Sequence, residues 1–252
     1  MTIQEFFQQN PECAVAFSGG VDSAWLLHEA ARDARRTAAY FVHTPFQPAF
    51  ELADARETAE KLGVKLRVLE LDVLTVPEVA ANPSDRCYYC KNALFTHLIQ
   101  AAKADGFPVI LDGSNASDDA GDRPGMKALR ELGVRSPLRE CGVTKAEIRR
   151  LAGEAGIAVW DKPSYACLAT RIPAGTAITH GMLERVERGE SALMDLGFSD
   201  FRLRLRGEKA LLQVRSAQME QAKEQLPEIN RRLAEDFAEI QLDPTPRESR
   251  EV

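Results

Sequence analysis

The sequence predicts an α/β protein: a mainly parallel, doubly wound sheet over residues 1–175, then a smaller α+β domain over residues 176–252. Three observations predict it. Apolar runs of strand length alternate with helical stretches through the first two thirds of the chain. A loop of small residues, Ser18-Gly19-Gly20-Val21-Asp22-Ser23, follows the first apolar run and opens a helix. After Pro173-Ala174-Gly175 the order changes to a helix, two closely spaced strands and another helix.

Cys13 to Phe17 reads as the first strand, and Ala24 to Asp33 continues the helix behind the loop. Ala39 to His43 is a second strand, Phe50 to Leu62 a helix stopped at Gly63, and Leu66 to Leu71 a third strand. Lys91 to Ala104 is helical, Pro108 to Leu111 is a fourth strand, and Lys145 to Ala155 is a helix with Thr144 placed as its N-cap. Strands separated by helices imply crossover connections and a parallel sheet, whose ligands bind beyond the carboxyl ends of the strands. Beyond Gly175, Thr179 to Leu196 is a helix and Phe201 to Leu205 pairs with Ala210 to Val214 across Arg206-Gly207-Glu208-Lys209. A last helix runs from Gln218 to Ala234, and the polar tail from Asp243 is expected to fray.

With 44% hydrophobic and 28% charged residues in 252, the composition is that of an ordinary globular protein. No run approaches the ~20 apolar residues that span a bilayer, so no membrane partner is expected. Met1 to Asn10 has neither a basic n-region nor a long apolar h-region, and a cytoplasmic location is expected. A net charge of −6, with Arg202, Arg204 and Arg206 as the one dense basic patch, weighs against nucleic acid as substrate.

In the Ser18–Ser23 loop, adjacent glycines let backbone N–H groups approach an anion closely, and the two serines add hydroxyl donors. Asp22 is a candidate magnesium ligand. No G-x-x-x-x-G-K-[ST] motif occurs, so the lysine of ordinary phosphate loops is missing. The competing reading is a plain glycine turn between strand and helix. Asp118, Asp119 and Arg123 fit magnesium and phosphate steering, and equally an N-cap or surface turn.

The odd count of five cysteines argues against a disulfide framework. Cys87-Tyr88-Tyr89-Cys90, read as a loop just before a helix, fits a redox pair, half a zinc site or part of an iron–sulfur site. Cys167, in a proline-bounded loop, is the next candidate. Three thiolates from Cys87, Cys90 and Cys167 would hold a 4Fe–4S cluster with one iron open. A buried apolar thiol is the alternative for Cys167, and it suits Cys13 and Cys141 better.

The Ser18–Ser23 loop resembles that of the N-type ATP pyrophosphatases, the PP-loop proteins of adenine nucleotide alpha-hydrolase-like fold. Leu111 to Asp119, Asp122 to Gly125, Val134 to Leu138 and Cys167 to Pro173 narrow the resemblance to the LarE family. Members are ATP-dependent sulfurtransferases acting on pyridinium-3,5-biscarboxylic acid mononucleotide during synthesis of the nickel-pincer nucleotide of lactate racemase. The resemblance implies that ATP and Mg2+ bind at Ser18, Gly19, Gly20, Val21, Asp22, Ser23, Asn115, Asp118 and Arg123. It implies that Cys167 is catalytic, and that Arg202 and Arg204 hold the substrate phosphate with Glu190 nearby. A solvated face of alternating Arg and Leu is the plain alternative for that strand. Cys87 and Cys90 depart from members that sacrifice a single cysteine sulfur and resemble a subgroup with a cluster. A small-molecule mononucleotide partner and a homo-oligomer are expected, with the sulfide donor open. An iron–sulfur tRNA thiolase, an amidating synthetase and an ATP-binding sensor are the competing functions.

Overall fold

The computed structural model describes residues 1–118 and 124–248. The chain forms two compact units, and the second takes in Ala80–Ser84 as well as the chain from Pro163 onward.

The first unit contains helix α1 (Ile3–Gln9), strand β1 (Glu12–Ala16), α2 (Val21–Asp33), β2 (Arg36–His43), α3 (Ala49–Lys61) and β3 (Leu66–Glu70). The short α4 (Pro77–Ala80), the long α5 (Arg86–Ala104), β4 (Val109–Leu111), α6 (Pro124–Glu131), α7 (Pro137–Glu140) and α8 (Lys145–Glu154) come after it. The four strands lie in the order β3-β2-β1-β4, and every pairing is parallel. Side chains alternate across the sheet, as a period of two requires. Val15, Phe41 and Leu111 pack against Leu26 and Leu27 of α2, Ala59 of α3 and Ile148 of α8. Ala14, Tyr40, Val42 and Ile110 face Leu98 and Ala102 of α5 on the other side. Helices therefore cover both faces, and the doubly wound architecture results.

The chain leaves β1 toward β2 and β3, then crosses to β4 on the opposite side of β1. The direction of winding reverses between β1 and β4, where ligands of such sheets sit. A single parallel bridge, Leu111 with Arg135, extends the sheet beyond β4.

The second unit contains α9 (His180–Asp195), β5 (Arg202–Arg206), β6 (Lys209–Gln213), α10 (Met219–Arg232) and β7 (Glu239–Leu242). β5 and β6 pair antiparallel across a two-residue turn in which Gly207 has φ 62°. Helix α9 comes close to β5 because Gly189 has no side chain: a Cβ there would lie 2.5 Å from Leu203 Cδ2.

Three expectations change. The second unit begins at Pro163, ahead of Pro173–Gly175, and it recruits Ala80–Ser84 by hydrogen bonds. Gly175 N donates to Asn82 O (2.8 Å), Ile178 N donates to Ala80 O (2.8 Å), and the Asn82 amide donates to Pro173 O and Thr176 O. The tail beyond Asp243 does not fray at once. β7 adds to β6 in parallel, Asp243 N and Arg247 N donate to Leu212 O and Val214 O, and Arg247 pairs with Asp200. The C-x-x-C pair is not in a loop before a helix. Helix α5 starts at Arg86, so Cys87 and Cys90 lie in its opening turns. No described helix is long and apolar enough to cross a membrane.

Candidate functional site

The Ser18–Ser23 loop turns the chain from β1 into α2. Gly19 has φ +76°, a conformation costly for any residue with a side chain, and its Cα faces Ala55 and the Glu51 carbonyl of α3 closely. Gly20 is the N-cap and supplies no side-chain cap, so the first turn of α2 presents backbone donors without one. Ser23 Oγ accepts from Ser18 N (3.2 Å), donates to Gly20 O (3.0 Å) and lies 3.1 Å from Ser18 Oγ, fixing the loop as a tight cradle. Val21 is buried in the core, which anchors the start of the helix.

The loop after β4 closes against this cradle. A Cβ on Gly113 would stand 3.0 Å from Ser23 N and 3.2 Å from Ser23 Cα, so the two backbones meet with no room for a side chain. Behind Gly113, the buried Asp112 carboxylate accepts from the Ser114 and Ser136 hydroxyls and ties β4 to the segment after α6. Asn115 Nδ2 donates to Asp22 Oδ1 (3.4 Å), while Asn115 N donates to Asp118 Oδ2 (2.9 Å). Asn115 and Asp118 therefore come together with Asp22. Arg123 lies outside the described residues, as do Asp119 and Asp122.

The same place holds a residue that sequence reasoning missed. Lys145 Nζ donates to Asp22 Oδ2 at 2.5 Å, and Lys145 N donates to Ser117 Oγ (3.0 Å). Lys145 opens α8, and Thr144 Oγ1 caps that helix by accepting from Glu147 N. Burial pushes the Asp22 carboxyl above its usual value, and the Lys145 ammonium pulls it partly back. The fold thus brings a lysine to the Ser18–Ser23 loop, whose own sequence has none. The available signal was a lysine just after an N-cap threonine, which alone reads as a surface helix start.

In the second unit, Arg202 and Arg204 are not a solvated face. Arg202 is buried; its guanidinium donates to Phe201 O (2.6 Å) and Ser164 O (3.2 Å) and lies over the Tyr165 ring. Burial and the guanidinium groups of Arg171 and Arg247 bring it down to about 10. Arg204 donates to Gln213 Oε1 and Thr170 O, and burial with neighbouring arginines lowers it too. Cations that weaken one another in this way mark a region short of negative charge. Glu190 answers part of it, but its carboxylate is filled by two Arg171 nitrogens, the Tyr165 hydroxyl and Leu203 N. Cys167 is half-buried at the start of a short 3-10 turn, Leu168–Arg171.

Cys87 is exposed and Cys90 half-buried on α5 of the first unit. Among the described residues no three His, Cys, Asp or Glu side chains are gathered to hold a metal ion. An open groove of about 430 Å³ between α2, α3 and α8, lined by His28, Arg32, Lys61 and Ile157, includes none of the residues above.

The asparagine synthase family model matches residues 3–119, the span that carries the cradle and Asn115. An uncharacterized protein of Synechocystis sp. is 35% identical over 221 residues, covering 87% of this chain and 82% of its own. The pyridinium-3,5-bisthiocarboxylic acid mononucleotide synthase of Lactiplantibacillus plantarum is 33% identical over 209 residues, covering 81% of this chain and 75% of its own. The chain belongs to the LarE family. A third relative, an uncharacterized protein of Methanocaldococcus jannaschii, is 30% identical over 185 residues, covering 73% and 70%. The asparagine synthase match ends at residue 119, so Cys167, Arg202 and Arg204 lie in the part of this LarE-family chain that it leaves out.

Proposed function

We propose that the protein is an ATP-dependent sulfurtransferase that converts a carboxylate of a pyridinium mononucleotide to a thiocarboxylate, in synthesis of a nickel-pincer nucleotide. The observation that carries this reading is the meeting of the uncapped α2 start with Asp22, Lys145 and Asn115 at the β1–β4 reversal. The α2 N–H groups and Lys145 would receive the departing pyrophosphate, and Asp22 with Asp118 would hold Mg2+ among phosphate oxygens. A substrate carboxylate oxygen attacks the α-phosphorus of ATP and pyrophosphate leaves. A sulfur nucleophile then attacks the acyl carbon, and AMP leaves with that oxygen. Arg202 and Arg204 supply the positive charge suited to the mononucleotide phosphate, and Cys167 would deliver the sulfur. The bisthiocarboxylic acid mononucleotide synthase of L. plantarum supports the substrate class.

The test is incubation with MgATP and pyridinium-3,5-biscarboxylic acid mononucleotide. AMP, pyrophosphate and a product carrying sulfur in place of one carboxyl oxygen are expected; ATP left intact would refute the reading. Sulfur from Cys167 itself would leave dehydroalanine, visible as loss of hydrogen sulfide from the protein's intact mass. A second reading rests on Cys87 and Cys90 in the opening turns of one helix. With Cys167 they offer the soft thiolates a 4Fe–4S cluster takes, and such a cluster would supply sulfide without consuming Cys167. Iron and sulfide analysis after anaerobic purification decides it: iron with an intact Cys167 after turnover supports a cluster, and zinc alone removes it.

A further inference from the structure

Arg171 and Glu190 are the most completely buried charged pair among the described residues, with side-chain exposures of 0% and 1%. Taking two such charges out of water costs several kcal/mol per ion before their attraction returns any of it, and an apolar pair would fill the same space more cheaply. What the apolar pair lacks is direction. Arg171 Nε and Nη2 donate to the two Glu190 oxygens at 2.8 and 2.9 Å, a bidentate geometry that leaves the guanidinium one orientation. Its remaining nitrogen, Nη1, then points at the Cys167 turn. It donates to Ala166 O (2.7 Å), Thr170 Oγ1 (2.8 Å) and Cys167 O (3.3 Å). Thr170 adds two donors to the same Cys167 carbonyl, from Oγ1 (2.9 Å) and N (3.0 Å). On its other side, Glu190 accepts from Leu203 N of β5 at 2.9 Å. An unbroken line of hydrogen bonds runs from the sheet through Glu190 and Arg171 to the backbone of Cys167.

We infer that Arg171 and Glu190 are positioning residues that hold the Cys167 backbone in one geometry relative to β5, and that Glu190 acts on the chemistry through Arg171 and touches no substrate phosphate. The carboxylate has four acceptor sites and four donors fill them, so it has nothing left to offer a ligand. The consequence for sulfur transfer rests on the reading under Proposed function; the consequence for backbone mobility does not.

Two measurements on the full chain test it. The first is amide hydrogen exchange of the peptide spanning residues 164–172 in wild type, Glu190→Gln, Arg171→Lys and Thr170→Val. Exchange there is expected to quicken about tenfold or more in each variant, while the peptide spanning residues 12–24 keeps its wild-type rate. Thr170→Val removes the hydroxyl that bridges Arg171 Nη1 and the Cys167 carbonyl without disturbing the buried pair, so it reports even where the charge variants fail to fold. The second measurement is made on Thr170→Val with MgATP and the biscarboxylic acid mononucleotide. Pyrophosphate formation and both KM values should stay within about twofold, and sulfur transferred per pyrophosphate should fall about tenfold or more, since small misplacements of a reacting group cost factors of this size. Unchanged exchange in folded Thr170→Val, or loss of pyrophosphate formation in step with sulfur transfer, would overturn the inference. If wild type forms no pyrophosphate, the functional reading fails alone, and exchange still decides whether the clamp exists.

Discussion

Replacing Gly113 by alanine adds one methyl group where the β4 loop touches the start of α2. That methyl would stand 3.0 Å from Ser23 N, 3.2 Å from Ser23 Cα and 3.3 Å from the Asp22 carbonyl carbon. All three are backbone atoms, so no side chain can swing aside. The strain falls on the cradle itself, and relief requires the two loops to separate by several tenths of an ångström. Overpacking of this kind costs about 1–3 kcal/mol. The same displacement moves Asn115 and Lys145 relative to Asp22, and misplacing groups that orient a reacting phosphate by about 1 Å costs up to ~10²-fold in rate. The assays are thermal unfolding and MgATP-dependent pyrophosphate release, with Gly181→Ala as control. Gly181 lies near the start of α9 with nothing within 4 Å of its added Cβ, so alanine there should stabilise by roughly 0.5–1 kcal/mol. Gly113→Ala with wild-type melting and wild-type pyrophosphate release would refute the close approach and its role.

Lys145→Met should lower pyrophosphate formation by about 10²-fold or more, as loss of a donor aimed at developing charge does; a rate within a few-fold of wild type would reduce Lys145 to a structural partner of Asp22. Burial pushes the Cys13 thiol up to about 11. This contribution to stability is complete below the ordinary thiol value near 8.5 and is lost as pH rises toward 11, a total of about 3 kcal/mol. Denaturant titrations at pH 8 and pH 10.5 should therefore show a steeper alkaline loss in wild type than in Cys13→Ala, and equal slopes would contradict it. Asn82 is fully buried, and its amide serves Pro173 O and Thr176 O, so Asn82→Ala should destabilise by about 2–3 kcal/mol, read as a shift in denaturation midpoint. Full stability in that variant would mean that the segment from Ala80 to Ser84 is held by its backbone bonds alone.

The parallel strands and their helices were legible because local pattern dictates them. β1 to β4, α2, α3 and α8 fall within a few residues of the expected bounds, each being an apolar run or a periodic helix with a stop signal at its end. β7 was not legible: four residues, Glu239–Leu242, carry little pattern and become a strand only because β6 offers an unpaired edge. The opening turns of α5 were missed for a related reason. Cys87-Tyr88-Tyr89-Cys90 has weak helix preference, and the strongly helical stretch from Lys91 to Ala104 draws it into the same helix.

The sequence by itself determined the geometry of the Ser18–Ser23 cradle. Ser18 to Ser23 needs only its own glycines and the strand and helix beside it, all interactions between near neighbours. Tertiary structure decided what surrounds that cradle. It brought Asn115 and Lys145 to Asp22 from 93 and 123 residues away, and it turned Arg202, read equally well as a surface residue, into a buried cation. It also filled the carboxylate of Glu190 with partners from the 165–171 stretch and from β5. Local preference carries no information about such meetings, because a charged side chain takes its role from what the packed core sets opposite it.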